Sequence, residues 1–312
     1  MDEVTSLMAA SLRTSISLLE KTNGALLDAG GKRVRPILCL LAAGACGGIS
    51  RDSIHFAAAS ELLHNATLLH DDVVDGASTR RGNPTVNSVL GSPASVLVGD
   101  YWLVKAVDCI LSSVNHSERV LRIFSKTLSD LTEGEMLQME KAITRDTTQD
   151  DYIRIIYCKT ASLFESAARG GAISAGADEA LEDVMGEFGR NLGIAFQIKD
   201  DILDYLPSDR LGKPAGQDLM EQKITQPLLC VLSGMEQADA AALRSRLAYV
   251  GVDPSAQEEI RGCVVSRGGI DKAALVMESY IEKAIFCLRA LPDSKEKSYL
   301  ASLARYMGER NF

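Results

Sequence analysis

The sequence predicts an all-α fold, and three features of the 312-residue chain support that prediction. No proline occurs between positions 93 and 207, so nothing in that stretch interrupts long helices. Apolar residues recur at helical spacing, as in the run Phe124, Leu128 and Leu131. Alternating runs of β-branched residues, which would indicate strands, are few.

Helical segments follow one another along the chain without a composition shift, a Pro/Ser-rich linker or an internal repeat. We expect them approximately at 3–22, 35–47, 51–75, 83–90, 94–114, 117–144, 150–176, 178–206, 219–234, 238–249, 255–267, 270–290 and 294–308. A single domain over 1–312 is therefore expected. The most polar connection, at 207–218, contains two prolines and two glycines and is a candidate for a mobile loop.

The bulk composition argues against some classes of function. The chain is 46% hydrophobic and 24% charged, as in an ordinary globular protein. Its net charge of −9 argues against nucleic acid as the main partner. The seven cysteines are scattered without a CxxC pair, which indicates reduced thiols in a cytoplasmic protein. The most apolar stretch, at 37–49, is too short to span a bilayer, so no stable membrane insertion is expected.

Two segments contain three aspartates with the same spacing, and each lies at the end of an otherwise apolar helical segment. The first reads LLHDDVVDGASTRR at 68–81, and the second reads FQIKDDILDY at 196–205. The aspartates are Asp71, Asp72 and Asp75 in the first motif and Asp200, Asp201 and Asp204 in the second. In each motif the first and third aspartates are four residues apart, so they share one helical face.

Carboxylates in this arrangement indicate a site for a divalent metal ion. Hard oxygen donors with no histidine or cysteine among them suit Mg²⁺ or Mn²⁺ and do not suit Zn²⁺. The spacing lacks the glycine and the terminal glutamate of an EF-hand calcium loop. Because Mg²⁺ completes its shell with water and phosphate oxygens, the aspartates also predict a phosphorylated ligand. The alternative, two charged helix ends in solvent, does not explain the repeated spacing and the apolar flanks.

Basic residues that could bind a diphosphate occur near the first motif and in an earlier glycine loop. They are Lys32, Arg33 and Arg35 in GGKRVRP at 30–36, and Arg80 and Arg81 directly after the first motif. The glycine loop precedes a predicted helix, whose first amide groups also favour anions. His64 lies two helical turns before Asp71 on nearly the same face, so it is a candidate phosphate donor.

Together these segments resemble the trans-isoprenyl diphosphate synthases, the head-to-tail prenyltransferases, and most of all their octaprenyl and solanesyl members. The matching segments are GGKRVRP (30–36), ELLHNATLLHDDVVD (61–75), RRGNPTVN (80–87), LVGDYW (97–102), EGEMLQ (133–138), KTASLF (159–164), FQIKDDILDY (196–205) and GKPAGQDLMEQKITQPL (212–228). Each segment alone is weak, but the ordered set with two Asp-Asp-x-x-Asp motifs is specific. One departure is Gln226, where relatives usually carry an apolar residue.

The resemblance implies a single antiparallel bundle of long helices around a deep apolar tunnel, usually as a homodimer. It implies that the six aspartates hold Mg²⁺ ions that bridge an allylic diphosphate. Further partners of that diphosphate would be Arg80, Lys159, Thr160, Gln197, Lys213 and Lys223, with Arg80 and Lys159 taking part in catalysis. The second substrate, isopentenyl diphosphate, would be bound by Lys32, Arg35, His64 and Arg81, with Arg33 in the same basic run.

In the reaction that this implies, the allylic carbon becomes cationic and is attacked by the double bond of isopentenyl diphosphate. Proton loss then gives a product that is one isoprene unit longer. Ala66 and Thr67 lie about one turn before Asp71 and are small, where short-chain members often carry aromatic residues. A medium or long chain, of the kind used for quinone side chains, is therefore expected. The alternatives are a short-chain synthase, a class I terpene cyclase and a non-catalytic partner subunit, and the intact second motif and basic loop disfavour the last two.

Overall fold

The structure, a computed structural model, describes residues 1–80, 82–206 and 216–310. Its earlier helices are α1 Asp2–Ser11, α2 Ser17–Asp28, α3 Val34–Cys46, α4 Arg51–Val74, α5 Val86–Leu90, α6 Ser92–Leu111, α7 Ser117–Thr144 and α8 Gln149–Ile156. Its later helices are α9 Ser162–Ser174, α10 Glu179–Asp204, α11 Gln217–Met220, α12 Gln226–Leu232, α13 Gln237–Arg246, α14 Pro254–Ser266, α15 Gly269–Cys287 and α16 Lys295–Glu309. The predicted all-α class is confirmed.

The strands within the described ranges form one short ribbon between α4 and α5. β1 is Thr79–Arg80 and β2 is Asn83–Pro84, and they pair antiparallel with Thr79 opposite Pro84. Among the helices that the structure describes, none combines the length and the apolar character that a bilayer crossing requires. The seven cysteines, all within the described ranges, carry free thiols.

The predicted helix at 3–22 is wrong, because two helices, α1 and α2, occupy this stretch. Between them, the backbone N–H of Thr14 donates to Glu20 Oε2 at 2.8 Å. The N–H of Ile16 donates to Thr14 Oγ1 at 3.3 Å. Such local bonds to side chains give the backbone an alternative to the helical hydrogen-bond pattern.

Two other predicted helices are shorter than expected. At 83–90 the chain first forms β2, and α5 begins only after Thr85, whose Oγ1 accepts from the N–H of Ser88 at 3.0 Å. At 219–234 the chain forms two helices, α11 and α12, instead of one. Gln222, between them, has a φ of 57°, a left-handed conformation that ends a helix.

The remaining helical segments agree with the predicted ones to within a few residues, and α7 spans the predicted 117–144. The segment at 150–176 is helical throughout, but it contains a π-helical turn at Tyr157–Ala161 between α8 and α9. Two predicted helices end in 3₁₀ turns, at Leu247–Tyr249 and Leu288–Ala290. The spacing of apolar residues does not distinguish these helix types from the α-helix over one turn.

The chain groups into two compact units. Unit 1 comprises Met1–Lys126, Leu163–Gly186 and Ala290–Leu300, and unit 2 comprises Thr127–Ser162, Glu187–Arg289 and Ala301–Phe312. The single domain over 1–312 stays a prediction.

In unit 1, α4 packs against α1, α3 and α6. Its middle is buried all round and carries the small residues Ala57, Ala58 and Ala59 before the fully buried Leu62. Small side chains let neighbouring helix axes approach closely, and each buried leucine contributes about 2 kcal/mol. The start of α4 is defined by a capping box, in which Ser50 Oγ accepts from the N–H of Ser53.

α3 and α9 approach each other closely at Gly171. A Cβ atom on this residue would lie 2.1 Å from the carbonyl oxygen of Cys39 and 2.9 Å from Cβ of Ala42. We expect Gly171→Ala to lower the free energy of unfolding by about 3 kcal/mol, because a backbone carbonyl cannot move aside as a flexible side chain can. Urea unfolding measures this change.

Gly262→Ala is the matched control for Gly171→Ala. Gly262 is exposed within α14, and nothing lies within 4 Å of its added Cβ. This variant is expected to be neutral or to gain about 0.5–1 kcal/mol from the better helix propensity of alanine. Equal loss of stability in both variants would contradict the close approach at Gly171.

In unit 2, α12 packs against α8, α14 and α15. Gln226, the departure noted in the sequence, is buried at the start of α12. Its Oε1 accepts from Gln149 Nε2 at 2.8 Å, and its Nε2 donates to Gln149 Oε1 at 3.2 Å. This reciprocal pair satisfies a polar side chain that would otherwise be costly to bury.

Candidate functional site

The first aspartate motif lies at the C-terminal end of α4. Asp71 and Asp72 occupy its last turn, and the N–H of Asp75, the C-cap residue, donates to the carbonyl of Asp71 at 2.8 Å. Asp71 is half-buried, Asp72 is buried and Asp75 is exposed. A helix C-terminus carries partial negative charge, so three carboxylates there are unfavourable without a nearby cation.

One cation comes from the ribbon that follows α4. Arg80 in β1 donates from Nε to Asp72 Oδ1 at 2.8 Å. Asn87 Nδ2 donates to the backbone carbonyl of Asp72 at 3.0 Å. The turn between the strands contains Gly82, whose φ of +79° favours glycine. The structure therefore places Arg80 on the middle aspartate of the motif.

The basic loop before α3 also lies in unit 1. Lys32 is exposed, and Arg33, the N-cap of α3, has a left-handed φ of 47°. The guanidinium of Arg33 hydrogen-bonds to the Thr5 hydroxyl. The guanidinium carbon of Arg35 lies 4.9 Å from the centre of the buried Phe164 ring. Arg33 thus has a structural partner, whereas Arg35 is held against an aromatic face.

The stretch of α4 before the first motif carries the other predicted residues. His64 is half-buried, and its backbone carbonyl accepts from Thr67 Oγ1 at 2.8 Å. Ala66 is buried and Thr67 is half-buried. The histidine and the two small residues therefore lie within two turns of Asp71, as their spacing predicts.

A pocket of mostly apolar lining lies farther along α4, within unit 1. Its lining includes Phe56, Ala59 and Ser60 from α4, Ile110 from α6, and Phe124 from α7. Ser60 lies about 17 Å before Asp71 along the axis of α4. Leu63, on α4 between the pocket and Ala66, is fully buried.

The second motif ends α10, and its first carboxylate, Asp200, forms an ion pair with Arg310. Arg310 Nη2 lies 2.8 Å from Asp200 Oδ1 and donates to the carbonyl of Phe196 at 2.8 Å. The guanidinium also lies 3.9 Å from the centre of the Phe196 ring. The Arg310 side chain is 6% exposed, whereas that of Asp200 is 40% exposed.

The middle carboxylate, Asp201, is 4% exposed and accepts hydrogen bonds on both oxygens. Tyr152 donates its hydroxyl to Oδ2 at 2.6 Å, and Gln197 Nε2 donates to Oδ1 at 2.9 Å. Gln197 Oε1 in turn accepts from Thr160 Oγ1 at 2.7 Å. Burial raises the pKa of Asp201 to about 6, although both hydrogen bonds favour the ionised form.

The third carboxylate, Asp204, caps the start of α11. Its Oδ1 accepts from the N–H of Gln217 and its Oδ2 from that of Asp218, each at 3.0 Å. Burial raises the pKa of Asp204, and these backbone hydrogen bonds partly oppose the rise. Just after α11, Lys223 forms an ion pair with Glu221.

The π-helical turn positions two more predicted residues, Lys159 and Thr160. Lys159 Nζ forms an ion pair with Glu135 of α7. Next to Glu135, Gly134 lets α7 pack closely against the π-helical turn, since a Cβ on Gly134 would lie 2.6 Å from Cβ of Cys158. A π-helical turn inside an α-helix often marks a functional site.

The carboxylates fit a divalent cation that takes only part of its shell from protein. In the described part of the chain, no three His, Cys, Asp or Glu side chains lie close enough together to hold a metal ion alone. The donors are hard oxygens, and those of Asp71, Asp75 and Asp200 are at least partly accessible. Mg²⁺ uses one or two carboxylates and completes its shell with water and phosphate oxygens. The carboxylate oxygens of each motif, taken separately, therefore fit Mg²⁺ or Mn²⁺ held together with a phosphorylated ligand.

Sequence reasoning missed three residues at the second motif: Tyr152, Asp218 and Arg310. Burial and the charges of the Asp201 and Asp204 carboxylates raise the pKa of Asp218 well above its usual value. No spacing rule relates Tyr152 or Arg310 to the motif. A buried arginine at the end of α16 has no sequence signature, because a basic residue near a helix C-terminus is common in solvent. Two predicted residues, Arg81 and Lys213, lie outside the described residues.

Comparison with known proteins gives one consistent result. The model of the Polyprenyl synthetase family matches residues 16–265. An all-trans-nonaprenyl-diphosphate synthase (geranyl-diphosphate specific) of Rhodobacter capsulatus is 38% identical over 96% of this chain and 91% of its own. An octaprenyl diphosphate synthase of Haemophilus influenzae is 36% identical over 100% of this chain and 94% of its own. A solved polyprenyl synthase of Caulobacter crescentus, complexed with calcium and isoprenyl diphosphate, has a TM-score of 0.91 at 33% identity. The match covers 100% of this chain and 95% of the solved one.

Proposed function

This chain belongs to the polyprenyl synthetase family, and on that premise we propose that it condenses isopentenyl diphosphate with an allylic diphosphate. The product is an all-trans polyprenyl diphosphate of medium or long chain, of the kind used for quinone side chains. Family membership confirms the predicted enzyme class, a prenyltransferase. The observation that carries the proposal is the pair of aspartate motifs, each at a helix end with partly exposed carboxylates and an arginine on one of them.

Metal binding in this proposal falls first to Asp71, Asp75 and Asp200. Their carboxylates are at least partly accessible, whereas Asp72 and Asp201 are buried. Asp201 and Asp204 each accept protein hydrogen bonds on both oxygens. Asp72 is buried with one oxygen on Arg80. A divalent cation, when bound, would neutralise the charge that develops on the leaving diphosphate.

The basic residues bind and orient the two substrates. Arg80, Lys159 and Lys223, each next to a carboxylate here, provide charge for the allylic diphosphate. Isopentenyl diphosphate is assigned to Lys32, Arg35, His64 and Arg81, and Lys213 joins the allylic set. The geometry of Arg35 supports its role, because stacking on Phe164 fixes the direction of its guanidinium.

No nucleophilic side chain is needed for this chemistry. The allylic carbon–oxygen bond breaks and releases diphosphate, and the double bond of isopentenyl diphosphate forms the new carbon–carbon bond. The departing diphosphate then takes the proton that the resulting cation loses. Binding of both diphosphates in a fixed orientation provides most of the rate. Apolar surroundings keep water from the cation. The pocket beside Ser60 in unit 1 supplies apolar surface for a growing chain.

The test of this function is elongation by the purified full chain. Labelled isopentenyl diphosphate, Mg²⁺ and each allylic primer in turn are incubated with the enzyme, and the products are separated by length. Chains beyond the geranylgeranyl stage are expected. Consumption of the primer without uptake of label would favour a terpene cyclase, and no reaction with any primer would favour a partner subunit.

A short-chain synthase is the second candidate, and one observation favours it. Leu63 is fully buried on α4, between Ala66 and the pocket beside Ser60. Its side chain could close the path of the growing chain at that level. A farnesyl or geranylgeranyl product in the elongation assay would select this candidate.

We also propose that the enzyme is a homodimer through α6. Leu97, Val104 and Leu111 recur every seven residues on one face of that helix and are 68%, 55% and 56% exposed. An apolar stripe of this kind is typical of an interface between copies. The cytoplasmic location stays a prediction from composition.

Val104→Glu is expected to shift the enzyme from dimer to monomer at micromolar concentration, because a charge in the centre of an apolar interface is costly to bury. Sedimentation velocity measures the species. Val252→Glu is the matched control, since Val252 is 81% exposed in a loop of unit 2. A wild-type monomer, or a dimer that persists in Val104→Glu, would contradict this interface.

A further inference from the structure

The buried end of the second motif forms a chain of hydrogen bonds that the resemblance does not assign. It starts at Tyr152 on α8, 2% exposed, whose hydroxyl donates to Asp201 Oδ2 at 2.6 Å. It continues from Asp201 Oδ1 to Gln197 Nε2 at 2.9 Å, and from Gln197 Oε1 to Thr160 Oγ1 at 2.7 Å. The four side chains connect α8 and α10 to the π-helical turn.

The ionised carboxylate of Asp201 fixes which group donates and which accepts in every hydrogen bond of this series. An ionised carboxylate only accepts, so Tyr152 and Gln197 must both donate to Asp201. With its NH₂ group on Asp201, Gln197 can present only its carbonyl oxygen to Thr160. The Thr160 hydroxyl must then donate to Gln197. Hydrogen bonds linked in this way also strengthen one another.

We propose that Tyr152 is a positioning residue for prenyl transfer, which acts through Asp201 to fix the orientation of the Gln197 amide and the Thr160 hydroxyl. Asp201 is then the common acceptor of this chain and not a metal ligand. The inference rests on the proposed function, which assigns Gln197 and Thr160 to the allylic diphosphate.

Three observations favour this role over a metal ligand for Asp201. Asp201 is buried, whereas the side chain of Asp200, one residue earlier, is 40% exposed. Both of its oxygens already accept from neutral side chains at short distances. The residues that it orders are the ones assigned to substrate. An outer group that fixes the geometry of the groups touching substrate is a common source of catalytic precision.

The first test is Tyr152→Phe, which removes one hydroxyl and keeps the ring. We expect kcat to fall at least tenfold, with the KM for isopentenyl diphosphate within twofold of wild type. The melting temperature is measured in parallel, and kcat is expressed per folded enzyme. Tyr249→Phe is the matched control, because Tyr249 is 54% exposed and distant in sequence from both motifs. A kcat of Tyr152→Phe within twofold of wild type would overturn the proposal.

The second test separates a positioning role from metal binding. In Asp201→Asn, one of the two acceptor oxygens becomes an NH₂ donor, so either Tyr152 or Gln197 loses its acceptor and must reverse its part in the hydrogen bond. We expect kcat to fall at least as far as in Tyr152→Phe. The double variant should be no slower than Asp201→Asn alone, because both changes act through one acceptor. If the losses in kcat multiply in the double variant, Tyr152 does not act through Asp201.

Metal affinity is read directly by electron paramagnetic resonance of Mn²⁺ in the presence of inorganic diphosphate. Asp201→Asn is expected to keep the Mn²⁺ dissociation constant within twofold of wild type, whereas Asp200→Asn should raise it at least tenfold. Equal weakening in both variants would identify Asp201 as a ligand and overturn the proposal. A wild-type enzyme that fails to elongate any primer would instead refute the proposed function itself.

Discussion

Asp71→Ala and Asp200→Ala are each expected to lower kcat by about three orders of magnitude or more. Each change removes a carboxylate that we propose as a metal ligand, one from each motif. Metal stabilisation of the leaving group contributes several kcal/mol, and about 1.4 kcal/mol corresponds to a factor of ten in rate. Steady-state elongation with saturating substrates and Mg²⁺ measures the effect.

The two variants are expected to differ in stability. Asp71 is half-buried near a helix end, so its loss should leave the helical fold and the melting temperature nearly unchanged. Asp200 is the ion-pair partner of the buried Arg310, so Asp200→Ala leaves a charge without that partner and should lower the melting temperature. Circular dichroism separates this effect from the loss of activity.

Asp239→Ala is the control for both, because Asp239 is exposed on α13. Its kcat and melting temperature are expected to match wild type. Near-normal activity in Asp71→Ala and Asp200→Ala together would refute the assignment of these aspartates to metal.

Ala66→Phe is expected to shorten the product by several isoprene units. Ala66 is buried on α4, about 7.5 Å before Asp71 along the helix axis. A phenyl ring there should meet the growing chain soon after the first condensations. Chromatography of the labelled products after dephosphorylation gives the length distribution.

Ser60→Phe tests the same path at a greater depth. Ser60 lines the pocket in unit 1 and lies about 9 Å farther from Asp71 than Ala66 does. Its product is expected to be shorter than that of wild type but longer than that of Ala66→Phe. Folded variants that both give the wild-type distribution would show that the chain does not grow along this face of α4.

Much of the helical structure follows from local sequence. α4 and α7 match their predicted bounds within one residue, because long segments with regular apolar spacing specify a helix clearly. The errors occur where short-range hydrogen bonds compete with the helix. The break near Thr14 is one example, and the left-handed Gln222 is another. Which competing bond prevails depends on neighbours that a periodic pattern does not describe.

The parts of the site that were predictable are those whose residues are near one another in sequence. Arg80 lies beside the first motif because a short ribbon joins them, and nearness in sequence restricts where it can go. The partners of the second motif come from distant parts of the chain. Arg310 reaches Asp200 from the end of α16, and Tyr152 reaches Asp201 from α8. No local pattern encodes contacts of that kind.

The sequence by itself determined the fold class, the two aspartate motifs and the family, since each depends on residue types at short fixed spacings. Only the tertiary structure decided what each carboxylate does. Asp200 pairs with an arginine, Asp201 accepts from a tyrosine and an amide, and Asp204 caps a helix. The three residues share one motif but differ in burial and in neighbours. These differences arise because packing brings distant side chains to one helix end, and burial then requires each carboxylate to find its own hydrogen-bond donors.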